Sequence, residues 1–210
     1  DREKNIFYRY QSHDRTITSN YITDIKESRD GMLWIGTGFA LNIFNPKTSR
    51  FESLYPVNDA PGHGGNNIIT LLEDRRGWMW IGTLEGLYLY NKQTKKIQSF
   101  KKNDGLPHNK ILTLLEDNKG DIWISTLMGI CNIAITQTAD GSSFRFKIYD
   151  EQYGLQGKQF NENAACKTRQ GELIFGGPNG FNIFNPDKLK INTVIPPVVF
   201  TDLQIFNKSA

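Results

Sequence analysis

The sequence predicts an all-β fold built from repeated four-stranded units, and two observations support this prediction. The composition combines 19 glycines and 12% aromatic residues with 38% hydrophobic and 22% charged residues. That balance is typical of a folded domain with many turns and few long apolar segments. The second observation is a segment that recurs along the chain, which is the feature to look for first in any sequence.

The recurring segment joins an Ile- or Leu-rich stretch to a Gly-x-x-Trp-Ile motif. Its turn glycines are Gly31, Gly77, Gly120 and, in a weaker fourth copy, Gly171, with separations of 46, 43 and 51 residues. A period of this length belongs to a four-stranded β-propeller blade. The sequence therefore predicts about four blades of antiparallel strands over residues 1–190, which form a partial propeller.

The second copy predicts the four strands of a blade, here called a to d from first to last. Gly77 provides the positive φ that a tight turn requires between strands a and b. Turn residues, and a change in the pattern of apolar and polar residues, separate strand b from strand c and strand c from strand d. The predicted segments are strand a at Ile68–Glu73, strand b at Trp78–Thr83, strand c at Leu87–Tyr90 and strand d ending at Phe100.

The segment Phe7–Tyr10 resembles the outer strand d of a preceding blade whose other strands are missing. We therefore expect the chain to be a fragment that forms an open arc. Such an arc exposes apolar faces and unpaired strands, so the isolated fragment should either self-associate or be marginally stable. In the intact protein, other blades of the longer chain should cover these faces.

The repeated Trp34, Trp80 and Trp123 are interpreted as packing between neighbouring blades, because a large ring fills the gap between twisted sheets. A sugar-stacking platform is the alternative interpretation. The repeated pairs Glu73-Asp74 and Glu116-Asp117 are assigned to hydrogen bonds in the turns rather than to acid–base catalysis.

Charge, histidines and cysteines indicate no cofactor, no metal and no nucleic-acid partner. The net charge is only +3, and the basic residues are scattered. Cys131 and Cys166 show no metal-ligand spacing. They are interpreted as two small buried residues, with a disulfide in an oxidising compartment left as the alternative.

The motif Ile-x-x-Leu-x-Glu-Asp-x-x-Gly-x-Leu-Trp-Ile-Gly-Thr resembles the two-component regulator propeller repeat, over residues 20–187. Residues 191–210 resemble a linker and the first strand of the immunoglobulin-like Y_Y_Y domain. The resemblance implies the periplasmic sensor portion of a hybrid histidine kinase of Bacteroides-like bacteria, tethered to the membrane only through the parent protein. It also implies an oligosaccharide ligand and no enzymatic activity in this fragment. A structural or protein-interaction propeller remains the alternative.

The d-to-a and b-to-c loops are expected to share one rim of the propeller, and binding residues concentrate on loops of rigid scaffolds. The candidate ligand-binding residues follow from their place in the repeat: Phe39, His63, Asn66, Glu85, His108, Asn109, Met128 and Asn179.

Overall fold

The computed structural model describes residues 7–14, 16–57, 64–138, 141–189, 204–205 and 208–209. These residues form four antiparallel sheets and one short strand pair. The first sheet contains β1 (Ile22–Glu27), β2 (Leu33–Thr37), β3 (Leu41–Asn45) and β4 (Arg50–Leu54); the second contains β5 (Ile68–Glu73), β6 (Trp78–Thr83), β7 (Gly86–Asn91) and β8 (Lys96–Phe100). The third contains β9 (Ile111–Glu116), β10 (Ile122–Thr126), β11 (Gly129–Thr138) and β12 (Gly141–Tyr149); the fourth contains β13 (Ala165–Lys167), β14 (Leu173–Gly177) and β15 (Gly180–Phe184).

Strands follow one another within each sheet, so every sheet is a meander of hairpins. The first strands of adjacent sheets contact each other, in the order β1, β5, β9 and β13. The sheets are therefore blades that share an inner edge, and the predicted propeller-blade fold is confirmed. Among the described residues the only helical segments are five 3₁₀ turns of three residues each.

The fourth blade has three strands within the described part of the chain, and residues 190–203 lie outside that part. The predicted linker and Y_Y_Y strand over 191–210 likewise lie almost entirely outside it. Two short described strands, β16 (Gln204–Ile205) and β17 (Lys208–Ser209), pair with each other.

The prediction of a strand at Phe7–Tyr10 is wrong, because this segment is irregular in the structure. A strand d needs a strand c beside it for its hydrogen bonds, and no strand pairing of the described residues includes this segment. Tyr10 instead packs its ring against Phe44 and Phe51 of the first blade, with both centroid distances at 5.2 Å.

The three repeated tryptophans are buried between blades, as predicted. Trp80 is fully buried in a cluster with Leu89 of its own blade and Leu114 of the next. Its ring also lies 6.1 Å from that of Phe144 in the third blade. A sugar-stacking role is excluded for this side chain, because its ring has no accessible surface.

The aspartates that precede the turns are structural, as predicted. Both Asp74 and Asp117 are buried. In the second blade, Oδ1 of Asp74 accepts hydrogen bonds from the backbone N–H groups of Arg76 and Trp78, at 2.9 and 3.0 Å. This arrangement satisfies the turn and fixes its shape.

The interpretation of both cysteines as buried is wrong for one of them. Cys131 is buried and Cys166 is exposed, and both are free thiols. Cys166 pairs with Ile174. Ile174 holds the position in strand b that a buried tryptophan occupies in the other three blades. The side chain of Cys166 therefore lies on the face that a following blade covers in blades one to three.

Candidate ligand-binding rim

The b-to-c and d-to-a loops lie together at one end of every four-stranded blade. In the first blade Ile22 pairs with Thr37, and Leu41 pairs with Leu54. These pairs bring the start of strand a, the end of b, the start of c and the end of d to one edge. We call this edge the loop rim, and the opposite edge, formed by the a-to-b and c-to-d turns, the turn rim.

A buried threonine shapes each b-to-c loop of the first three blades. The Oγ1 atoms of Thr37, Thr83 and Thr126 donate to the carbonyl three residues later, over 2.8, 2.9 and 3.0 Å. Each Oγ1 also accepts the backbone N–H of the residue two positions on. The hydroxyl thus fixes a tight loop whose second residue projects from the rim.

The residues at these loop tips are the sequence-predicted Phe39, Glu85 and Met128, and Asn179 takes the same place in the fourth blade. All four are exposed. Phe39 and Met128 are apolar side chains with 46% and 48% of their surface accessible. The loop rim therefore presents two apolar and two polar side chains at equivalent positions of four blades.

Two of these tips also contact the d-to-a loops. The carboxylate of Glu85 lies against Gly64, where a side-chain carbon would meet it at 2.5 Å. Gln156 orients Asn179 through two hydrogen bonds. The backbone N–H of Asn179 donates to Oε1 of Gln156 at 2.9 Å, and Nδ2 of Asn179 donates to the backbone carbonyl of Gln156 at 3.3 Å. Neighbouring loops thus support the tips.

The sequence-predicted residues of the d-to-a loops are less accessible than expected. Asn66 is buried, and its amide exchanges two hydrogen bonds with the backbone of Val57. His108 and Asn109 are half-buried and accept backbone N–H groups from Lys110 and Lys102. These amide and imidazole groups hold the loops in shape. His63 lies outside the described residues.

One residue at the propeller centre was missed by the sequence reasoning. Strand a of each of the first three blades carries a bulge, at Thr23, Ile69 and Leu112, and a bulge residue leaves backbone groups unpaired. Asn163 of the fourth blade bonds all three: its Nδ2 donates to the carbonyls of Thr23 and Ile69, and its N–H to that of Leu112, at 3.2, 3.2 and 3.0 Å.

Asn163 adopts the left-handed conformation, with φ at 53°, which asparagine tolerates better than most residues. It borders a central cavity of about 130 Å³ lined also by Asp24, Lys26, Thr70 and Thr113. In the sequence, Asn163 is only one polar residue between Glu162 and Ala164, at the start of the weak fourth repeat. Because the other repeats show no equivalent asparagine, comparison of the repeats could not assign it a position in the fold. Asn163 therefore links the inner strands of three blades to the fourth.

No described cluster of three or more His, Cys, Asp or Glu side chains could hold a metal ion. Within the same residues, no helix has the length and apolar character to cross a membrane. The tips of the loop rim present an aromatic face, a thioether, a carboxylate and an amide, from Phe39, Met128, Glu85 and Asn179.

The fold and this rim define a run of β-propeller blades. Residues 16–39, 62–85 and 105–128 match the family model of the two component regulator propeller. The chain therefore carries two-component regulator propeller repeats, as the sequence motif predicted.

A solved structure described as the extracellular domain of a hybrid two component system, BT3049 of B. thetaiotaomicron, is similar to this chain. The similarity covers 93% of the chain at 28% identity with a TM-score of 0.78, and the chain spans 26% of that structure. Histidine kinase P4 of Formosa agariphila is 38% identical over 62 residues, which are 30% of this chain and 4% of that protein. The chain thus corresponds to a small part of both relatives.

Virginiamycin B lyase of Staphylococcus aureus shares the fold alone, at 15% identity and a TM-score of 0.52 over 80% of this chain. The propeller fold therefore does not decide by itself between a sensor and an enzyme. What distinguishes this chain is its relation to extracellular domains of two-component systems.

Proposed function

We propose that the chain is part of the periplasmic sensor domain of a hybrid two-component regulator and that its loop rim binds the signal. The observation that carries this proposal is the similarity to the BT3049 extracellular domain over 93% of the chain, together with three regulator propeller repeats. The fragment itself catalyses no reaction in this proposal; histidine kinase activity belongs to another part of the parent protein. Residues 191–210 then begin the immunoglobulin-like domain that follows the propeller.

The ligand class we propose is an oligosaccharide released from a glycan. The exposed ring of Phe39 offers a flat apolar face for the C–H groups of a sugar. The exposed Glu85 and Asn179 carry oxygen and nitrogen atoms of the types that bond hydroxyl groups. Phe39 and Glu85 stand on loops fixed by buried threonines, and Asn179 is held by Gln156, so little ordering opposes binding.

Four of the sequence-predicted residues form the core of the proposed surface: Phe39, Glu85, Met128 and Asn179. Asn66, His108 and Asn109 act through loop shape in this proposal, because their side chains bond the backbone of their own loops. Binding at these loop tips can reach signalling through the blade-to-blade contacts, since the tips of the first three blades continue into strands buried against the next blade.

Isothermal titration calorimetry of the 210-residue chain against a panel of plant and host oligosaccharides tests the proposal. For a sugar that binds, we expect Phe39→Ala and Asn179→Ala to weaken the Kd by about tenfold each, which corresponds to the loss of one stacking or one hydrogen-bonding contact. The matched control is Gln93→Ala, because Gln93 is exposed on the turn rim. Binding that Gln93→Ala weakens and the tip variants leave unchanged would refute the rim assignment.

A protein-interaction propeller is the second candidate function, and one observation favours it. The fourth blade exposes Phe181 and Ile183, with 66% and 50% of their surface accessible. If no oligosaccharide gives a heat of binding while the chain associates with itself or with another domain, the interaction function replaces the sensing one.

A further inference from the structure

One tryptophan of the chain does not belong to the repeated set. Trp78 follows the turn glycine of the second blade, where the other blades carry Met32, Asp121 and Glu172. Its side chain is half-buried, whereas the three repeated tryptophans are buried. The repeated rings are explained by the packing of blades against each other. An indole at a position where the other blades have no aromatic residue needs a separate explanation.

The third blade departs from the repeat as well, because its outer hairpin is longer. Strands β11 and β12 contain 10 and 9 residues, whereas β7 and β8 of the second blade contain 6 and 5. The pair Ala134 and Arg145 corresponds to Asn91 and Lys96, the last pair of the second blade. The hairpin of the third blade therefore extends beyond the point at which the second blade turns.

These two departures from the repeat meet at the junction of the second and third blades. The ring centroid of Phe144, which lies in the hairpin extension, is 6.5 Å from that of Trp78. Ile135 pairs with Phe144 across the hairpin and packs on the same apolar cluster. The guanidinium carbon of Arg76 lies 5.7 Å from the indole centroid, and its Nη1 donates to the Gly120 carbonyl at 2.8 Å. Both blades thus fix the position of Trp78.

Beside this indole, the two blades leave a groove of about 280 Å³, which we call the Trp78 groove. It lies towards the turn rim, and each of the two blades that form it has a neighbouring blade on either side. Trp78, Leu89 and Phe144 provide its apolar surface. A pocket of this volume lies near the lower end of the range for small-molecule sites, about 300 Å³. The groove is therefore suited to a small ligand rather than to a folded partner.

Polar side chains complete the lining of the Trp78 groove. Lys96 and Gln98 extend from β8, and Ser142 stands on the hairpin extension; all three are exposed. Within the described part of the chain, none of these three side chains forms a hydrogen bond or an ion pair. Oδ1 of Asn91 accepts two backbone N–H groups of the c-to-d turn, which leaves its Nδ2 as a donor towards the groove. A ligand would thus meet several polar groups that need no rearrangement.

The chemistry of the lining selects a class of ligand. An aromatic surface beside amide and hydroxyl groups suits a sugar, whose C–H groups pack on the rings while its hydroxyl groups form hydrogen bonds. Lys96 adds a positive charge, and no carboxylate side chain is among the described residues that line the groove. The groove therefore favours a sugar that carries a negative charge over a neutral one.

We infer that the Trp78 groove is a second saccharide-binding site, which takes a sugar unit that carries a carboxylate or a sulfate group. The sugar ring packs against Trp78 and Phe144, and Nζ of Lys96 binds the anionic group. The Gln98 amide and the Ser142 hydroxyl bind the sugar hydroxyl groups. Because the groove lies towards the turn rim, this site is separate from the loop rim and does not rest on the function proposed for that rim.

Isothermal titration calorimetry and tryptophan fluorescence of the 210-residue chain test the inference with three probes: digalacturonate, a singly sulfated disaccharide and neutral lactose. We expect an acidic probe to bind about tenfold more tightly than lactose and to lose affinity at high NaCl. The two acidic probes distinguish a carboxylate from a sulfate as the preferred group. Binding should change the emission spectrum, because Trp78 alone among the four tryptophans is not buried.

Two substitutions locate the site. Trp78→Ala and Lys96→Gln should each weaken the Kd for the acidic probe about tenfold, and Lys96→Gln should also remove most of the NaCl dependence. The matched control is Arg50→Gln, because Arg50 is exposed and holds in the first blade the strand position that Lys96 holds in the second. Lys96 is also exposed, so its variant should melt as the unsubstituted chain does even where Trp78→Ala lowers the Tm.

The same titrations separate this inference from the function proposed for the loop rim. Acidic probes that give no heat of binding, or that bind Lys96→Gln as tightly as the unsubstituted chain, would overturn the inference. Binding that Phe39→Ala abolishes and that both groove variants retain would favour the loop rim and exclude the groove. Binding that depends on Trp78 and Lys96 would support the groove whatever the outcome at the loop rim.

Discussion

Trp80 donates its indole N–H to Oδ2 of Asp74 over 3.1 Å, and both side chains are fully buried. Trp123 and Asp117 repeat this bond at 2.8 Å in the third blade. The same carboxylate that shapes the a-to-b turn therefore also anchors the ring that fills the space between blades. In the first blade Ser28 replaces the aspartate, and its Oγ accepts the indole N–H of Trp34 at 3.1 Å.

Replacement of Asp74 by alanine should cost about 3 kcal/mol of unfolding free energy, because it leaves buried N–H donors without an acceptor. Asp74→Ser should cost less, because Ser28 shows that a hydroxyl accepts the indole N–H in this position. Urea denaturation followed by tryptophan fluorescence measures both values. Equal losses for the two variants would show that the carboxylate acts by its charge rather than by these bonds.

Asn163 provides the second prediction, because it bonds the carbonyls of two blades through one amide nitrogen. Asn163→Gly keeps the left-handed backbone accessible and removes the amide, so it should cost about 1 kcal/mol. Asn163→Ala adds the strain of a positive φ, so it should cost about 1 kcal/mol more. Thermal melting of both variants checks the order, and a more stable alanine variant would contradict it.

Asn163→Asp separates hydrogen bonding from shape at the same position. A carboxylate has no proton to donate at neutral pH and would face two carbonyl oxygens. We therefore expect the aspartate variant to be less stable than Asn163→Gly at neutral pH. The difference should shrink in acid, where the carboxyl regains a donor.

The repeat made most of the fold predictable from sequence. The first three blades repeat the same turn glycine, inner strand and central tryptophan, so the strand bounds of the second blade followed from comparison with its neighbours. Residues whose role is repeated, such as Asp74 and Trp80, were assigned correctly for the same reason. The tip positions Phe39, Glu85, Met128 and Asn179 were also located by register alone.

The remaining features depend on contacts between distant segments, which a single repeat does not encode. In the sequence Asn66 looks like an ordinary polar loop residue. In the structure it is buried, and its side-chain amide forms two hydrogen bonds with the backbone of Val57. Arg29 and Arg75 look like ordinary turn residues in the sequence, yet the guanidinium group of each donates to two backbone carbonyls in the a-to-b turn of the next blade. Asn163 acquires its role only because three bulges face the same point.

Asp121 provides a pH-dependent prediction. Burial raises the pKa of its carboxyl, and the charge of Asp117 adds to the rise; the Ile135 N–H, Arg76 and Lys119 offset part of it. The native chain therefore binds this proton at higher pH than the unfolded chain does. Ionised Asp121 lowers stability near neutral pH, and that loss disappears as the pH falls through the raised pKa.

Asp121→Asn should consequently stabilise the chain most near neutral pH. Its Oδ1 can still accept the backbone N–H of Ile135, which Asp121 binds at 3.2 Å. Its advantage over the unsubstituted chain should diminish as the pH falls through the raised pKa of Asp121 and be gone below the usual pKa of aspartate, as measured by urea denaturation at several pH values. An advantage that stays constant with pH would exclude the proposed electrostatic origin.

The two cysteines should differ sharply in reactivity, because thiolates rather than thiols react with disulfide reagents. Burial raises the pKa of Cys131 to about 12, and its sulfur has no accessible surface. Cys166 is exposed on the outer face of the fourth blade. In the native chain at low concentration, Ellman's reagent should therefore titrate one thiol rapidly and the second only in denaturant, and Cys166→Ser should remove the rapid phase. Two thiols that react at the same rate in the native chain would contradict this difference in burial.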